Sequence, residues 1–184
     1  MAYCASDEWR QLVHETILPV ALRGVDLGDA AIEIGPGPGF TTDILRTKTT
    51  RLTAVEIDEG LAASLVRRLR GANVEVVVGD AAALEFPAGC FTGAASFHML
   101  HHIAPSAQQD RVFAELARVL APGSTLVAAD GVCNEGTAAF HEGDTYNPID
   151  PDELPGRLGS AGFGDVEVRV YELGWVCTAR ARPT

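Results

Sequence analysis

Polar and apolar positions change period repeatedly along the chain. From residue 6 to 23, Trp9, Leu12, Val13, Thr16, Ile17 and Val20 recur at three- and four-residue steps, which predicts a helix. Ser6 is placed to cap it, Asp7 and Glu8 suit its positive end, and Pro19 is expected to bend or end it. AAIEI (30–34) is then a short, wholly apolar run broken only by Glu33, as expected of a buried strand. GFTTDILRT predicts a helix, RLTAVEI (51–57) a second strand, and EGLAASLVRRLRG a helix closed by Gly71. NVEVVVG and FTGAAS predict the third and fourth strands. SAQQDRVFAELARVLAPG predicts a helix stopped by Pro122 and Gly123, and STLVAAD a fifth strand.

Strands alternating with helices imply a mostly parallel sheet with helices on both faces, an α/β fold. The tail breaks this rhythm. After a helix near 151–161 come DVEVRVYEL and WVCTARA, with Gly174 between them. Strands joined that tightly must be antiparallel, because a parallel pair needs a long crossover. No linker or repeat interrupts the chain, so 1–184 is read as one domain, with a core over about 28–182 behind the N-terminal helix. The stretch 131–150, GVCNEGTAAFHEGDTYNPID, has no clear period, and loops of that length in compact domains are usually functional or disordered.

Composition narrows the function. Of the 184 residues 47% are hydrophobic, which suits one sizeable core. The formal net charge of −11 comes with scattered basic residues, RRLR at 67–70 being the one run. That run fits a solvated helix face, and the balance argues against nucleic acid, whose affinity comes from phosphate neutralisation. No apolar window approaches the ~18 residues of a membrane span, and the polar start MAYCASDEWR lacks the apolar stretch of a signal peptide. Cys4, Cys90, Cys133 and Cys177 lie far apart without a C-x-x-C pair. They read as free thiols in a reducing cytoplasm, with no metal site expected.

In an open α/β sheet, ligands bind beyond the carboxyl ends of the strands, near the point where strand order reverses. The predicted strand ends carry the loop Gly35-Pro36-Gly37-Pro38-Gly39, then Glu56 with Asp58, then Asp80, then Phe97 and His98, then Asp130. Glycine lets the backbone turn sharply and lets a ligand lie against it, while proline stiffens the loop. The same pattern also serves a tight strand-to-helix turn with no ligand. The spacing is G-x-G-x-G rather than the dinucleotide G-x-G-x-x-G, and the Gly-Lys-Ser/Thr of a phosphate-binding loop is missing. Glu56 could be a surface ion-pair partner, Asp80 a turn cap, and Asp58 reads best as a helix cap.

Taken in order, EIGPGPG, VEID, VVVGDA, FTGAASFHMLHHI and RVLAPGSTLVAAD resemble the class I, Rossmann-like S-adenosylmethionine-dependent methyltransferases. Within these the chain is similar to the small-molecule group related to quinone and sterol methyltransferases. Its first half also echoes the ribosomal RNA adenine dimethylases. The resemblance implies a mostly parallel seven-stranded sheet with a C-terminal antiparallel hairpin, and S-adenosylmethionine as cofactor. It implies that Glu33 and Gly35, Pro36, Gly37 and Gly39 hold the amino-acid end of the cofactor and that Glu56, with Ile57 beside it, takes the ribose hydroxyls. Asp80 would accept from the adenine amine, Ala81 would supply backbone, and Phe97 would line the reactive end. One departure is Phe91-Thr92, where family members often have Phe-Asp.

Methyl transfer from a sulfonium needs alignment and a shielded pocket; a base is needed only for a protonated acceptor. FHMLHHI supplies histidines, and His98 stands closest to the strand end as the candidate base, with His101 or His102 expected to be structural. His141 and Tyr146, with Glu142 and Asp144, fall in the aperiodic stretch and are substrate-side candidates, a solvated loop being the alternative. The expected activity is methylation of a small molecule in the cytoplasm. Methylation of a protein or RNA, or a non-catalytic cofactor-binding subunit, are the alternatives. So little chain lies outside the core that the acceptor site is expected to be open, or completed by a second copy in a homodimer.

Overall fold

The computed structural model describes residues 6–132 and 145–183. The chain begins with a helical rod: α1 (Asp7–Leu12), a π-helical turn (Val13–Ile17) and α2 (Leu18–Ala21). Ser6 caps it by accepting from the Trp9 N–H at 3.1 Å. Pro19 does not end the rod, which widens into a π turn before it and runs on to Ala21. Its ring lacks the N–H that the Glu15 carbonyl would need and would crowd that carbonyl in an α-helix. The wider turn just before it, closed by the Leu18 N–H on the Val13 carbonyl, relieves that conflict, and regular helix resumes.

The sheet comprises β1 (Ala30–Ile34), β2 (Arg51–Glu56), β3 (Val74–Val78), β4 (Phe91–Phe97), β5 (Leu120–Asp130), β6 (Phe163–Tyr171) and β7 (Gly174–Ala181), in the order β3-β2-β1-β4-β5-β7-β6. The first five strands are mutually parallel, and β7 runs antiparallel to both β5 and β6. The helices between them are α3 (Phe40–Leu45), α4 (Glu59–Arg68), α5 (Ser106–Val119) and α6 (Leu154–Ala161). The sequence places α5 as far as Pro122, but it ends at Val119. Leu120 is already extended, and its pairing with Phe91 starts β5 early.

Alternation along the strands divides the interior in two. Ile32, Ile34, Ala94, Leu126 and Ala128 face α5 and α6, where Phe113, Leu116, Leu158 and Trp175 complete one core. Ala31, Ala95, Phe97, Val127 and Ala129 face the N-terminal rod, where Val13, Ile17, Leu18 and Ala21 complete the other. Thr92, in the place of the family's acid, clamps the foot of the sheet. Its hydroxyl accepts from the Ala30 N–H at 2.9 Å and faces the Leu27 carbonyl at 3.0 Å. Among the described residues no helix is long and apolar enough to cross a membrane. Cys90 and Cys177 are free thiols, whereas Cys4 and Cys133 lie outside the described residues.

Candidate functional site

Strand order reverses at β1, whose neighbours β2 and β4 lead to opposite edges of the sheet. The glycine loop leaves β1 at that point. Gly35, Gly37 and Gly39 all have positive φ (65°, 53° and 85°), while the intervening prolines are fixed at negative φ. This alternation explains the motif: each N–H the loop retains has its own direction. Gly35 donates to the Val55 carbonyl at 2.9 Å, Gly37 to Glu56 Oε2 at 2.9 Å, and Gly39 back to the Pro36 carbonyl at 2.8 Å. A Cβ at Gly35 would overlap Met99 and one at Gly39 would overlap Leu65 and Arg68, so these two glycines are packing requirements. A Cβ at Gly37 would meet no heavy atom within 4 Å, so that residue faces open space.

Glu56 ends β2 and is almost buried; it also accepts from the Asp58 N–H at 3.0 Å. Ile57, beside it, is 70% exposed. Asp58 caps α4 through the Leu61 N–H, as the sequence suggests. Asp80 is exposed and folds its carboxylate onto the Ala82 N–H at 2.8 Å, with Ala81 in the turn between them. Glu33 lies under the loop, 1% exposed, and accepts from the Thr41 hydroxyl; its Oε2 has no partner among the described residues. Burial raises its carboxyl to about 7, against the pull of Thr41 and Thr42.

A second group gathers past β4 and β5. His98 has φ 51°, a conformation uncommon for a side-chain-bearing residue, and its N–H extends the strand ladder to the Ala129 carbonyl at 2.8 Å. Its ring meets Trp9 of α1 edge-on at 4.9 Å between centroids, and its Nδ1 stands 3.9 Å from Asp130 Oδ1. Its Nε2 is buried without a partner among the described residues. Burial pushes the imidazole down to about 4 despite the nearby carboxylate, and His101 adds to the effect.

Asp130 is 1% exposed at the end of β5. It is gripped by the His101 N–H at 3.1 Å, His101 Nδ1 at 2.5 Å and the Gly131 N–H at 2.7 Å. Burial works to raise its carboxyl, but the bond and charge of His101, the charge of His98 and the Gly131 bond outweigh it and hold it below the ordinary value. His101 thus spends both its N–H and its Nδ1 on Asp130. Tyr146 lies 5.7 Å from its ring, the Asn147 N–H bonds its carbonyl at 2.7 Å, and His102 faces the Thr145 carbonyl. Tyr171 brings a buried hydroxyl whose pKa is raised by burial and by the charge of Asp130. The rod spans both groups, because His14 Nε2 lies 2.8 Å from the Phe40 carbonyl, next to the loop.

The structure thus gathers Glu33, the loop and Glu56 in one group, and His98, His101 and Tyr146 in the other. Asp80 lies on an exposed turn past the edge strand β3. Phe97, expected at the reactive end, is 6% exposed and packed in the core beside the rod. His141, with Glu142 and Asp144, lies outside the described residues. Trp9 and Tyr171 were missed as site residues, since each reads as an ordinary apolar position of its element. Asp130 was visible only as an acid at a strand end. An open depression of about 640 Å³ lined by Pro122, Gly123, Asp165 and Arg182 lies at the start of β5 and carries none of these groups.

A family model described as a methyltransferase domain matches residues 32–128, more than half of the chain. A putative methyltransferase of Haloferax volcanii, solved in complex with the Trm112 methyltransferase activator, superposes with a TM-score of 0.81 at 18% identity over 100% of this chain and 96% of its own. Phosphoethanolamine N-methyltransferase 2 of Haemonchus contortus, solved with S-adenosyl-L-methionine, gives a TM-score of 0.76 at 16% identity over 92% of this chain and 53% of its own. In sequence, the probable ribosomal RNA small subunit methyltransferase A of Pyrococcus furiosus is 37% identical over 71 residues. That stretch covers 39% of this chain and 26% of the relative, so this chain matches about a quarter of that protein's length. The solved structures share the fold, and the family match runs from β1 into β5. On these grounds the chain belongs to the class I S-adenosylmethionine-dependent methyltransferases.

Proposed function

We propose that this protein transfers a methyl group from S-adenosylmethionine to a small-molecule acceptor. One observation carries the reading: the glycine loop is folded onto the Glu56 carboxylate at the reversal point, leaving Gly37 open above it. The residues present fit the cofactor. Glu33 offers a buried oxygen without a partner among the described residues, suited to an ammonium group. Each Glu56 oxygen accepts one backbone N–H and keeps a lone pair for a ribose hydroxyl. Ile57 offers an exposed apolar face for a base, and the exposed Asp80 an acceptor for an exocyclic amine.

When bound, S-adenosylmethionine supplies a methyl group on a sulfonium, open to in-line displacement. The protein's own work is alignment. Glu33 and the loop fix one end of the ligand and Glu56 the middle. Trp9 and the rod exclude water from the His98 side. The imidazole of His98, kept neutral by burial, offers a lone pair to a proton of the acceptor. The acidic charge balance supports an acceptor without a phosphate backbone. The free thiols support a cytoplasmic setting. The likeness to the Haloferax protein, which spans this whole chain, favours a second reading in which a protein partner joins the chain and the acceptor is a macromolecule.

A thermal-shift comparison tests the first step. S-adenosylhomocysteine at a hundredfold excess over its dissociation constant should stabilise the protein by about 2.7 kcal/mol, and NAD or ATP should not. A shift with NAD alone would overturn the reading.

A further inference from the structure

Basic side chains are distributed unevenly about this site. No Lys or Arg occurs between Arg70 and Arg111, or between Arg118 and Arg157. Those two stretches supply β3, β4 and β5 and the residues directly after their carboxyl ends. Among the described residues near those ends they place Asp80, Glu85 and Asp130. Cations at the borders of these stretches and beside the loop are bonded elsewhere. Arg118 bonds Glu115 and the carbonyls of Leu84 and Phe86, and Arg157 bonds Asp110. Arg10, on the rod beside Trp9, lies 2.9 Å from Asp7, and Arg68, behind the loop, is bonded to Asp43 and to the loop carbonyls of Pro38 and Gly39.

At the end of β5 sits the buried carboxylate of Asp130. Among the described residues its ion-pair partners are histidines only. Two buried polar atoms without partners among the described residues flank it, His98 Nε2 and the Tyr171 hydroxyl. With Nδ1 of His98 turned to the carboxylate, the Nδ1–H tautomer is favoured, and Nε2 presents a lone pair. A lone pair in a buried setting calls for a donor. An anionic acceptor would meet the field of Asp130, whose ion-pair partners among the described residues are histidines. The positive charge that develops on an amine nitrogen as it takes up a methyl group is favoured by that field and by the neighbouring ring of Trp9.

We propose that the acceptor taken up beside His98 is an amine. This rests on the methyltransferase reading above and names its substrate class. The amine reacts as its free base, with one N–H donated to His98 Nε2. The nitrogen pair forms a bond to the methyl carbon, the carbon–sulfur bond breaks, and its electron pair stays on sulfur. The product is a methylated ammonium ion and the neutral thioether S-adenosylhomocysteine. Asp130 offsets the positive charge that develops on the nitrogen.

The test uses the full chain and matched probes: benzylamine and N-methylbenzylamine against benzyl alcohol, benzoate and benzyl phosphate. Release of S-adenosylhomocysteine from S-adenosylmethionine is measured for each. Separately, long-range imidazole ¹⁵N NMR follows His98 in the S-adenosylhomocysteine complex as benzylamine or benzoate is added. The expected result is release at least tenfold faster with an amine than with the alcohol or the acids. The His98 Nε2 resonance should move saturably with benzylamine and stay put with benzoate, and His98→Gln should lose the amine response. Preference for the alcohol or an acid, no amine above the acceptor-free background, or a stationary Nε2 resonance overturns the proposal. Failure of S-adenosylhomocysteine to stabilise the same preparation sinks the methyltransferase reading instead.

Discussion

Glu33→Gln is the most informative single substitution, because the glutamate carries a charge that its surroundings oppose. The side chain is 1% exposed, and burial lifts its carboxyl from 4.5 to about 7. That difference is worth about 3 kcal/mol between the two protonation states. Between pH 4.5 and about 7 the native state holds a proton that the unfolded chain has released, so this residue makes stability fall as pH rises. His98 acts with the opposite sign. Its imidazole is pushed from 6.5 to about 4, so below pH 6.5 the unfolded chain takes up a proton that the native state refuses. Its contribution therefore makes stability rise with pH, by a similar ~3 kcal/mol across the window.

The two slopes nearly cancel in the wild type. Urea unfolding at half-unit steps from pH 4.5 to 7.5 should give a shallow profile for wild type and a rising one for Glu33→Gln. His98→Gln should give a falling profile. The glutamine variant should also be the more stable protein at pH 7.5, since it removes a buried charge without removing volume. In the proposed cofactor site the ionised form of Glu33 meets an ammonium group. Affinity for S-adenosylhomocysteine should then increase with pH, by up to about tenfold per unit below pH 7, and Glu33→Gln should flatten that dependence. Identical stability and affinity profiles for wild type and Glu33→Gln would refute the reasoning.

Other substitutions probe the remaining contacts. Glu56→Ala removes the acceptor for the Gly37 and Asp58 N–H groups together with the proposed ribose anchor. Calorimetry should show affinity for S-adenosylhomocysteine reduced by about one to three decades, and an unchanged constant would remove Glu56 from the site. Gly35→Ala drives a Cβ into Met99 at positive φ, whereas Gly37→Ala adds one in open space at similar φ. Urea titration should show the first change costing more than the ~1–2 kcal/mol of left-handed strain expected for the second. Asp130→Ala leaves His101 and Gly131 donors buried without their acceptor and should cost about 3–5 kcal/mol. A loss under about 1 kcal/mol would show the grip to be idle.

The proposed cofactor half was readable because it is built locally. The loop from Gly35 to Gly39 directly follows the apolar β1, and Glu56 closes the next strand. A motif within a few residues and an acid at a strand end carry that half almost whole, and parallel pairing sets them side by side. The hairpin of β6 and β7 was equally plain, because so short a connection admits only one direction. The rod's passage through Pro19 was not readable. Helix period shows where apolar residues fall but not that one turn can widen to take the ring. The end of α5 was misplaced for a related reason. Pro122 marks where a helix cannot continue, but Leu120 was already committed to pairing with β4, and pairing partners are not written locally.

The proposed acceptor half was obscure because it is assembled across the whole chain. Trp9 belongs to the first helix, His98 follows β4, Asp130 ends β5 and Tyr171 ends β6. No spacing connects them; the sheet order sets β4 beside β5, and the rod packs on the same face. The two groups are joined by the pairing of β1 with β4, by Met99 against Gly35 and by the His14 ring on the Phe40 carbonyl. In the proposed reading the glycine loop and Glu56 bear on the cofactor, which the family shares, whereas the charge around Asp130 bears on the acceptor.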